Sequence, residues 1–428
     1  MSILSGPKGT RDFYPAEMAF RERIFDSWHR TCRRYGFELF DAPMFEHLEL
    51  YTRKSGEEIE KQLYTFVDKG GRTMALRPEL TPSLARMVAS QGPSLKKPIR
   101  WYSIPRLFRY ERMQRGRLRE FFQLNMDILG VEEVTADAEL IAASVAMMQD
   151  LGFDSSDFSV LISSRSLLEE YLLAAGTPSE QLAGVYALLD RKGKMDAGQF
   201  EADLAELLAD SQLTTQVMRI LDAKSLDQLA AVNDSLSSLR DLQELFALLE
   251  SYGMADYAEF DLSIVRGLAY YTGIVFELFD KRRSLRAVAG GGRYDRLVES
   301  YGGQPTPAVG FAAGDVVLGE LLKEKFGVPD TPPRCLAFVA GFDDSYPQEV
   351  ISLAQRLRTA GIAAEYPLKR AAIGRQLKQA NAARAPYVVF VGGDEGKKGK
   401  VKVKRMASGD EKIVTVDECV NMLTRQGA

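Results

Sequence analysis

The chain has 428 residues, 46% of them hydrophobic and 27% charged, and a formal net charge of −4. That length suits two or three domains, and no apolar run approaches the roughly 20 residues that cross a bilayer, so a soluble protein with no membrane partner is expected. Three widely spaced cysteines (Cys32, Cys335, Cys419) and only two histidines (His29, His47) argue against a disulfide framework, a metal site and most histidine-based catalysis, and point to a reducing cytoplasm.

The first 150 residues mix helix and strand. MSILSGPKGTRDFYP lacks the apolar stretch of a signal peptide. FRERIFDSWHRTCRRYG (20–36) reads as an amphipathic helix stopped by Gly36, and FELFDAPMF (37–45) as a strand broken at Pro43. LRPELTPSLAR (76–86) places Glu79 and Thr81 after a proline turn at the start of a helix. IRWYSIPRLFRYE (99–111) and EFFQLNMDILG (120–130) read as two strands of a long hairpin, joined by MQRGRLR with Gly116 at the turn. VTADAELIAASVAMMQDLG (134–152) predicts a helix with Thr135 or Asp137 as its N-cap.

The hairpin holds an unusual charge. Residues 108–122 carry five arginines, Arg109, Arg112, Arg115, Arg117 and Arg119, against Glu111 and Glu120. The second strand alternates: Phe122, Leu124, Met126 and Ile128 form a core row, and Phe121, Gln123, Asn125 and Asp127 form the opposite row. A polar row ordinarily faces water. This one runs into the arginines, where Arg109 could clamp a phosphate bidentately and Phe121 could stack on a flat ring. The combination reads as a nucleotide site.

Residues 166–252 show helical apolar spacing punctuated by glycines and Asp/Ser clusters, which predicts a helical insertion without chemistry of its own. SIVRGLAYYTGIVFEL (263–278) puts Arg266 at the end of an apolar strand, followed by Tyr270 and Tyr271. AGGGRYDRLVESYGG (289–303) has three successive glycines before Arg293 and Tyr294; such a run permits close approach of a ligand, and also serves hairpin turns. TPPR (331–334) marks a domain boundary. Residues 334–428 carry sixteen Lys and Arg against ten Asp and Glu, a net +6, which leaves −10 for the rest. Strands alternating with helices predict a small α/β domain with a largely parallel sheet. KKGKVKVKR (397–405) alternates lysines with valines, either as a solvated edge strand or as a surface for RNA.

RPELT, FRYER…GR…REFFQ, VRGLAYYTGIVFE and GGGRYDRL, in this order, resemble histidyl-tRNA synthetase, a class II aminoacyl-tRNA synthetase. KGTRDFYP and the final α/β segment agree, so the resemblance spans essentially the whole chain. It implies an α/β protein: an α+β catalytic domain on an antiparallel sheet over 1–330, with a helical insertion at about 166–252, and an anticodon-binding α/β domain over 333–428. It implies ligation of L-histidine to its tRNA through a histidyl-adenylate, with ATP as substrate and Mg²⁺ as cofactor, in cytoplasmic translation. The partners implied are tRNA and a second copy of the chain, in a homodimer using the first helix and the strand at Pro43.

The resemblance also distributes roles. Arg109 would hold the α-phosphate, Phe121 would stack on adenine, Glu111 would contact adenine or help hold magnesium, and Arg117 would reach the γ-phosphate. Arg266 would contact the α-phosphate and the histidine carboxylate, in place of a metal ion. Glu79, Thr81, Gln123 and Asp127 would bind the substrate's amino and carboxylate side, Tyr271 and Tyr294 would line the imidazole pocket, and Tyr270 would also contact the histidine. Two positions depart from the family pattern. Ala269 stands where many members have an acidic residue, and Val316 and Val317 stand where a glutamate and the γ-phosphate arginine are usual. Either another cation, Arg117 or Arg286, takes over that phosphate, or the chain is a regulatory paralogue without catalysis.

Overall fold

The computed structural model describes residues 4–53, 62–192, 195–264, 270–328, 331–342, 348–396 and 398–427. They belong to two compact units, Met1–Pro329 and Asp330–Ala428. The strands of the first unit, in chain order, are β1 (Glu38–Leu39), β2 (Phe45–His47), β3 (Thr65–Val67), β4 (Thr73–Leu76), β5 (Ile99–Ser103), β6 (Arg106–Phe108), β7 (Glu120–Leu129), β8 (Phe158–Ser164), β9 (Ala258–Phe260), β10 (Ile274–Asp280), β11 (Ala289–Arg293) and β12 (Ala308–Gly314). Nine of them form one sheet in the order β1-β5-β7-β12-β11-β10-β8-β9, with β6 also paired to β7, while β2-β4-β3 form a small sheet of their own. Pairing in the large sheet is antiparallel from β5 to β8 and parallel only at its margins, β1 with β5 and β8 with β9.

The period-2 pattern of β7 is realised. Leu124, Met126 and Ile128 enter the main core with Ile24 and Trp28 of the helix Pro15–Arg34, Leu140 and Met147 of the helix Thr135–Asp150, and Leu318 and Leu322 of the helix Asp315–Phe326. Each such side chain, fully buried, stabilises the fold by about 1.5–3 kcal/mol. The opposite face packs separately, with Leu84 and Val88 of the helix Thr81–Gln91 against Val275, Tyr271 and Tyr294. The polar row therefore does not face open water, and Asn125 and Asp127 are buried.

Several expectations change on contact with tertiary structure. The first strand of the hairpin breaks at Ile104-Pro105 into β5 and β6, and Arg109 lies just beyond β6 rather than within a strand. The glycine run is not a loop: it is strand β11. A Cβ on Gly291 would lie 2.2 Å from the carbonyl oxygen of Gly310, so the glycine there permits strand to approach strand. Neither Thr135 nor Asp137 caps the helix Thr135–Asp150, whose N-cap position is Val134. Asp137 instead forms a buried ion pair with Arg293, whose Nη1 and Nη2 also donate to the carbonyls of Val131 and Glu133 at 3.0 and 3.1 Å. This arginine staples β11 to the start of that helix.

Between β8 and β9 the chain runs through helices, among them Arg165–Ala174, Ala197–Leu208, Ser211–Leu221 and Ser237–Ser251. The Asp and Ser residues that punctuate this stretch are caps: Ser164, Asp196, Asp210 and Ser225 each accept from a first-turn backbone N–H.

The second unit has strands β13 (Ala337–Gly341), β14 (Ala364–Glu365), β15 (Tyr387–Val391), β16 (Lys400–Arg405) and β17 (Glu411–Thr415), in the order β14-β13-β15-β16-β17. Only β13 with β14 and β13 with β15 are parallel, so the sheet is mixed rather than largely parallel. The reason is connection length: the turn from β16 to β17, with Gly409 at φ +76°, is far too short for a parallel crossover. The lysine-valine strand is β16, an interior strand and not an edge. Val401 and Val403 are buried, while Lys402 and Lys404 lie 3.6 and 3.4 Å from Glu411. No described helix is long and apolar enough to cross a membrane.

Breaking a buried ion pair by removing one partner costs about 3–5 kcal/mol. Asp137→Ala is expected to destabilise the first unit by that amount. Urea unfolding followed by tryptophan fluorescence reads it cleanly, because both tryptophans, Trp28 and Trp101, belong to that unit. An unchanged midpoint would remove Arg293–Asp137 as a staple.

Candidate active site

The hairpin between β6 and β7 is closed by local hydrogen bonds. Arg109 N donates to Arg119 O at 2.9 Å, and the tip is a Gln114–Arg117 bridge with Gly116 at φ +77°. Its base is anchored from the N-terminal segment, where Gly9 O accepts from the backbone of Arg119 and Glu120. The arginines do not act as one patch. Arg115 pairs with Glu324 on the outside, and Arg119 lies 4.1 Å from the Tyr110 ring. Arg109 and Arg117 turn inward.

These two line a cavity of about 220 Å³. Phe121 and Gln123 of β7 form part of its wall, and Glu277 of β10, Arg286, and Val316 with Val317 complete it. Arg109 Nε donates to Pro78 O at 2.9 Å, and its guanidinium carbon lies 5.3 Å from the Phe121 ring centroid. Arg117 is held by Glu111, Nε to Oε2 at 2.5 Å. The cavity thus offers an aromatic face and fixed guanidinium groups, which suit a planar base bearing phosphates, beside two carboxylates.

Farther along the same face of β7 lies Asp127, 3% exposed. Tyr294 Oη donates to Asp127 Oδ1 at 2.6 Å. The carboxylate fits there because its neighbour on β12 is Gly310; a Cβ at that position would be 2.0 Å from Asp127 Oδ1. Burial pushes the Asp127 carboxyl up to about 7, against the pull of the Tyr294 hydrogen bond. Tyr270 Oη donates to Glu79 Oε2 at 3.2 Å, and the Tyr270 ring contacts both Tyr271 and Tyr294, with centroids 5.0 and 5.9 Å apart. Burial raises the Glu79 carboxyl as well, opposed by the charge of Arg109. Glu79 Oε1 is buried and accepts no hydrogen bond among the described residues. A buried carboxylate oxygen without a donor costs free energy, and a cationic ligand group would satisfy it. Thr81, also buried, opens the helix directly after Glu79.

The fold therefore brings Arg109, Glu111, Arg117, Phe121 and Gln123 to one cavity and groups Glu79, Tyr270, Tyr271, Tyr294 and Asp127 through contacts along the same sheet face. Arg266 and Ala269 lie outside the described residues. Sequence reasoning missed Glu277, whose alternation with Phe276 and Leu278 was the available signal. It also missed Asp315, which is buried, accepts from Phe122 N at 2.9 Å and pairs with Arg11 at 2.7 Å. That pair ties the KGTRDF segment to β7 and to the helix that carries Val316 and Val317.

Comparison with known proteins gives a consistent result. The family model described as histidyl-tRNA synthetase matches residues 9–315, and that described as anticodon binding domain matches 336–426. The chloroplastic/mitochondrial histidine–tRNA ligase of Arabidopsis thaliana is 42% identical over 406 residues, 95% of this chain and 84% of that protein. The histidine–tRNA ligase of Opitutus terrae is 39% identical over 430 residues, 99% of this chain and 98% of that one. A crystal structure of histidyl-tRNA synthetase from Nostoc sp. PCC 7120 matches with a TM-score of 0.84, covering 100% of both chains at 23% identity, which speaks for the fold alone.

A carboxyl raised by burial favours the protonated folded state. Its contribution to stability is full below the unfolded pKa of about 4 and is lost as pH rises through about 7. Wild type is therefore expected to lose stability relative to Asp127→Asn between pH 5 and pH 8. Melting temperatures of both proteins at the two pH values check this; a constant difference would show that Asp127 does not titrate in that window.

Proposed function

Since the chain belongs to the histidyl-tRNA synthetase family, we propose that it ligates L-histidine to its cognate tRNA in two steps. The observation that carries this reading is the single sheet face that joins a cationic, aromatic-walled cavity to a contacting cluster of buried carboxylates and tyrosines. In the first step a histidine carboxylate oxygen bonds to the α-phosphorus of ATP, and the bond to the β-phosphate oxygen breaks. In the second, the terminal hydroxyl of the tRNA attacks the adenylate carbonyl and AMP leaves.

Phe121 stacks on adenine, and Arg109, fixed by Pro78 O, holds the α-phosphate. Arg117 lies farther out on the hairpin and meets the distal phosphates. Glu79 takes the substrate ammonium, with Thr81 and Gln123 beside it, and Asp127 with Tyr294, Tyr270 and Tyr271 surrounds the imidazole. Arg266 enters this scheme through the family resemblance, as a contact to the α-phosphate and the histidine carboxylate. Preorganised cations aimed at developing charge supply the catalysis, and no protein nucleophile is needed. Glu111 and Glu277 suit Mg²⁺, which commonly takes one or two carboxylates together with substrate phosphates; bound there it would neutralise phosphate charge. The second unit, matched by the anticodon-binding family, would contact the tRNA through its basic residues, such as those of 397–405.

The homodimer implied by resemblance is supported by the small sheet, where Phe45 and Val67 are 50% and 66% exposed and Phe45 contacts Phe66 edge to face. Three reduced, buried cysteines suit the cytoplasm. Val317 favours a second reading, a regulatory paralogue that binds histidine without activating it.

Histidine-dependent ATP–pyrophosphate exchange separates the two. Robust exchange with histidine alone among the amino acids is expected, and Arg109→Ala is expected to lower its rate by about 10²–10³-fold. Histidine binding without exchange would move the protein to the regulatory class. Removing residues 334–428 is expected to spare exchange and cripple tRNA charging; equal loss of both, with the tryptophan signal perturbed, would assign the second unit a folding role instead.

A further inference from the structure

The first turn of the helix Asp315–Phe326 brings no cation to the cavity: Asp315 is buried against Arg11, and Val316 and Val317 form apolar wall. A Cβ on Gly116 would lie 3.2 Å from Val317 Cγ2, so the hairpin tip closes directly over this valine. Yet the opposite lip of the same wall does carry a cation. Arg286 lines the cavity from the β10–β11 connection.

The chain on either side of it is well fixed. Asp280 accepts from Ser284 N and Oγ at 3.1 and 3.2 Å, which shapes the turn that precedes it. Val288 N donates to Leu278 O at 2.8 Å, and Gly314 N donates to Val288 O at 3.3 Å. Val288, two residues after Arg286, is therefore laced between β10 and the end of β12, immediately before the turn of helix that carries the valines. The side chain, by contrast, has no hydrogen bond or ion pair to a described residue, whereas Arg109 is held by Pro78 O and Arg117 by Glu111. Three guanidinium groups thus meet two carboxylates, Glu111 and Glu277, around one cavity. Burial and then the charge of Arg117, with a weaker push from Arg109, lower the Arg286 pKa, against the opposing pull of Glu111 and Glu277. Arg286 shares the cavity with Arg117 and with Val317, which Gly116 of the hairpin tip covers. A polyanion there relieves the repulsion and occupies the unpaired donors.

We infer that Arg286 grips the terminal phosphates of ATP, supplying from the β10–β11 connection the cation that the helix Asp315–Phe326 lacks. The inference rests on the proposed adenylation reaction. When the carboxylate oxygen bonds to the α-phosphorus, pyrophosphate departs with the electron pair of the broken P–O bond. Arg286 keeps its proton throughout and donates N–H bonds to oxygens whose charge is growing.

The test compares ATP with AMP, which lacks the phosphates in question. Calorimetry on the full-length protein, with magnesium for ATP, is run on wild type, Arg286→Ala and Arg286→Lys, and pyrophosphate exchange is measured alongside. Arg286→Ala is expected to weaken ATP by roughly 10- to 100-fold while AMP affinity stays within about threefold, with Arg286→Lys in between and the KM for histidine unchanged. An ATP affinity untouched by Arg286→Ala overturns the assignment, as does an equal loss for ATP and AMP, which would make Arg286 a determinant of the adenosine pocket or of the fold. Absence of exchange in wild type, with the ATP effect present, would sink the ligase reading and leave the phosphate contact standing.

Discussion

One strand buried on both faces organises this protein. β7 presents Leu124, Met126 and Ile128 to the helices on one side and Phe121, Gln123, Asn125 and Asp127 to the other. Placing a polar row under cover is costly unless each group finds a partner, so the surroundings of β7 are constrained tightly. Gly310 must lack a side chain for Asp127 to fit, and Tyr294 must deliver its hydroxyl to the carboxylate. The glycines of β11, which in sequence suit close approach of a ligand or a hairpin turn, and Gly310 of β12 serve this close packing. The two ends of a single strand face then differ in character: cationic and aromatic near Phe121, buried and carboxylate-lined near Asp127.

The charges around the site are held by long-range contacts. Arg11 and Asp315 are 304 positions apart and meet under Phe122. Arg293 and Asp137 are 156 apart and join β11 to a helix on the other side of the first core. A bound polyanion is best stabilised by cations whose positions are set before it arrives, since little is then spent on reorganisation. Arg109 and Arg117 satisfy that condition through Pro78 and Glu111.

Departure from a family motif need not mean loss of the chemistry the motif serves. The helix position that ordinarily supplies an arginine is here packed under Gly116 as Val317, and Asp315, two positions earlier, is a structural acid paired with Arg11. Electrostatic stabilisation depends on where a charge is, not on which element brings it. The β10–β11 connection and the first turn of the helix border the same cavity, so either can carry the cation.

Local pattern was sufficient for the alternation of β7, the helix beginning at Thr81 after its proline turn, the capped helices after β8 and the domain-scale change in charge, because each depends on residues a few positions apart. The order RPELT, FRYER, RGLAYYTG and GGGRYD was likewise enough to carry the family, since motif order survives where spacing varies. Tertiary structure alone decided that the polar row is buried, that Asp137 seeks Arg293 rather than capping its helix, that the lysine strand is interior to a mixed sheet, and that Arg286 and Arg117 line one cavity. Those outcomes turn on which groups meet across the fold, and competition among distant partners for burial and charge leaves no mark in local periodicity.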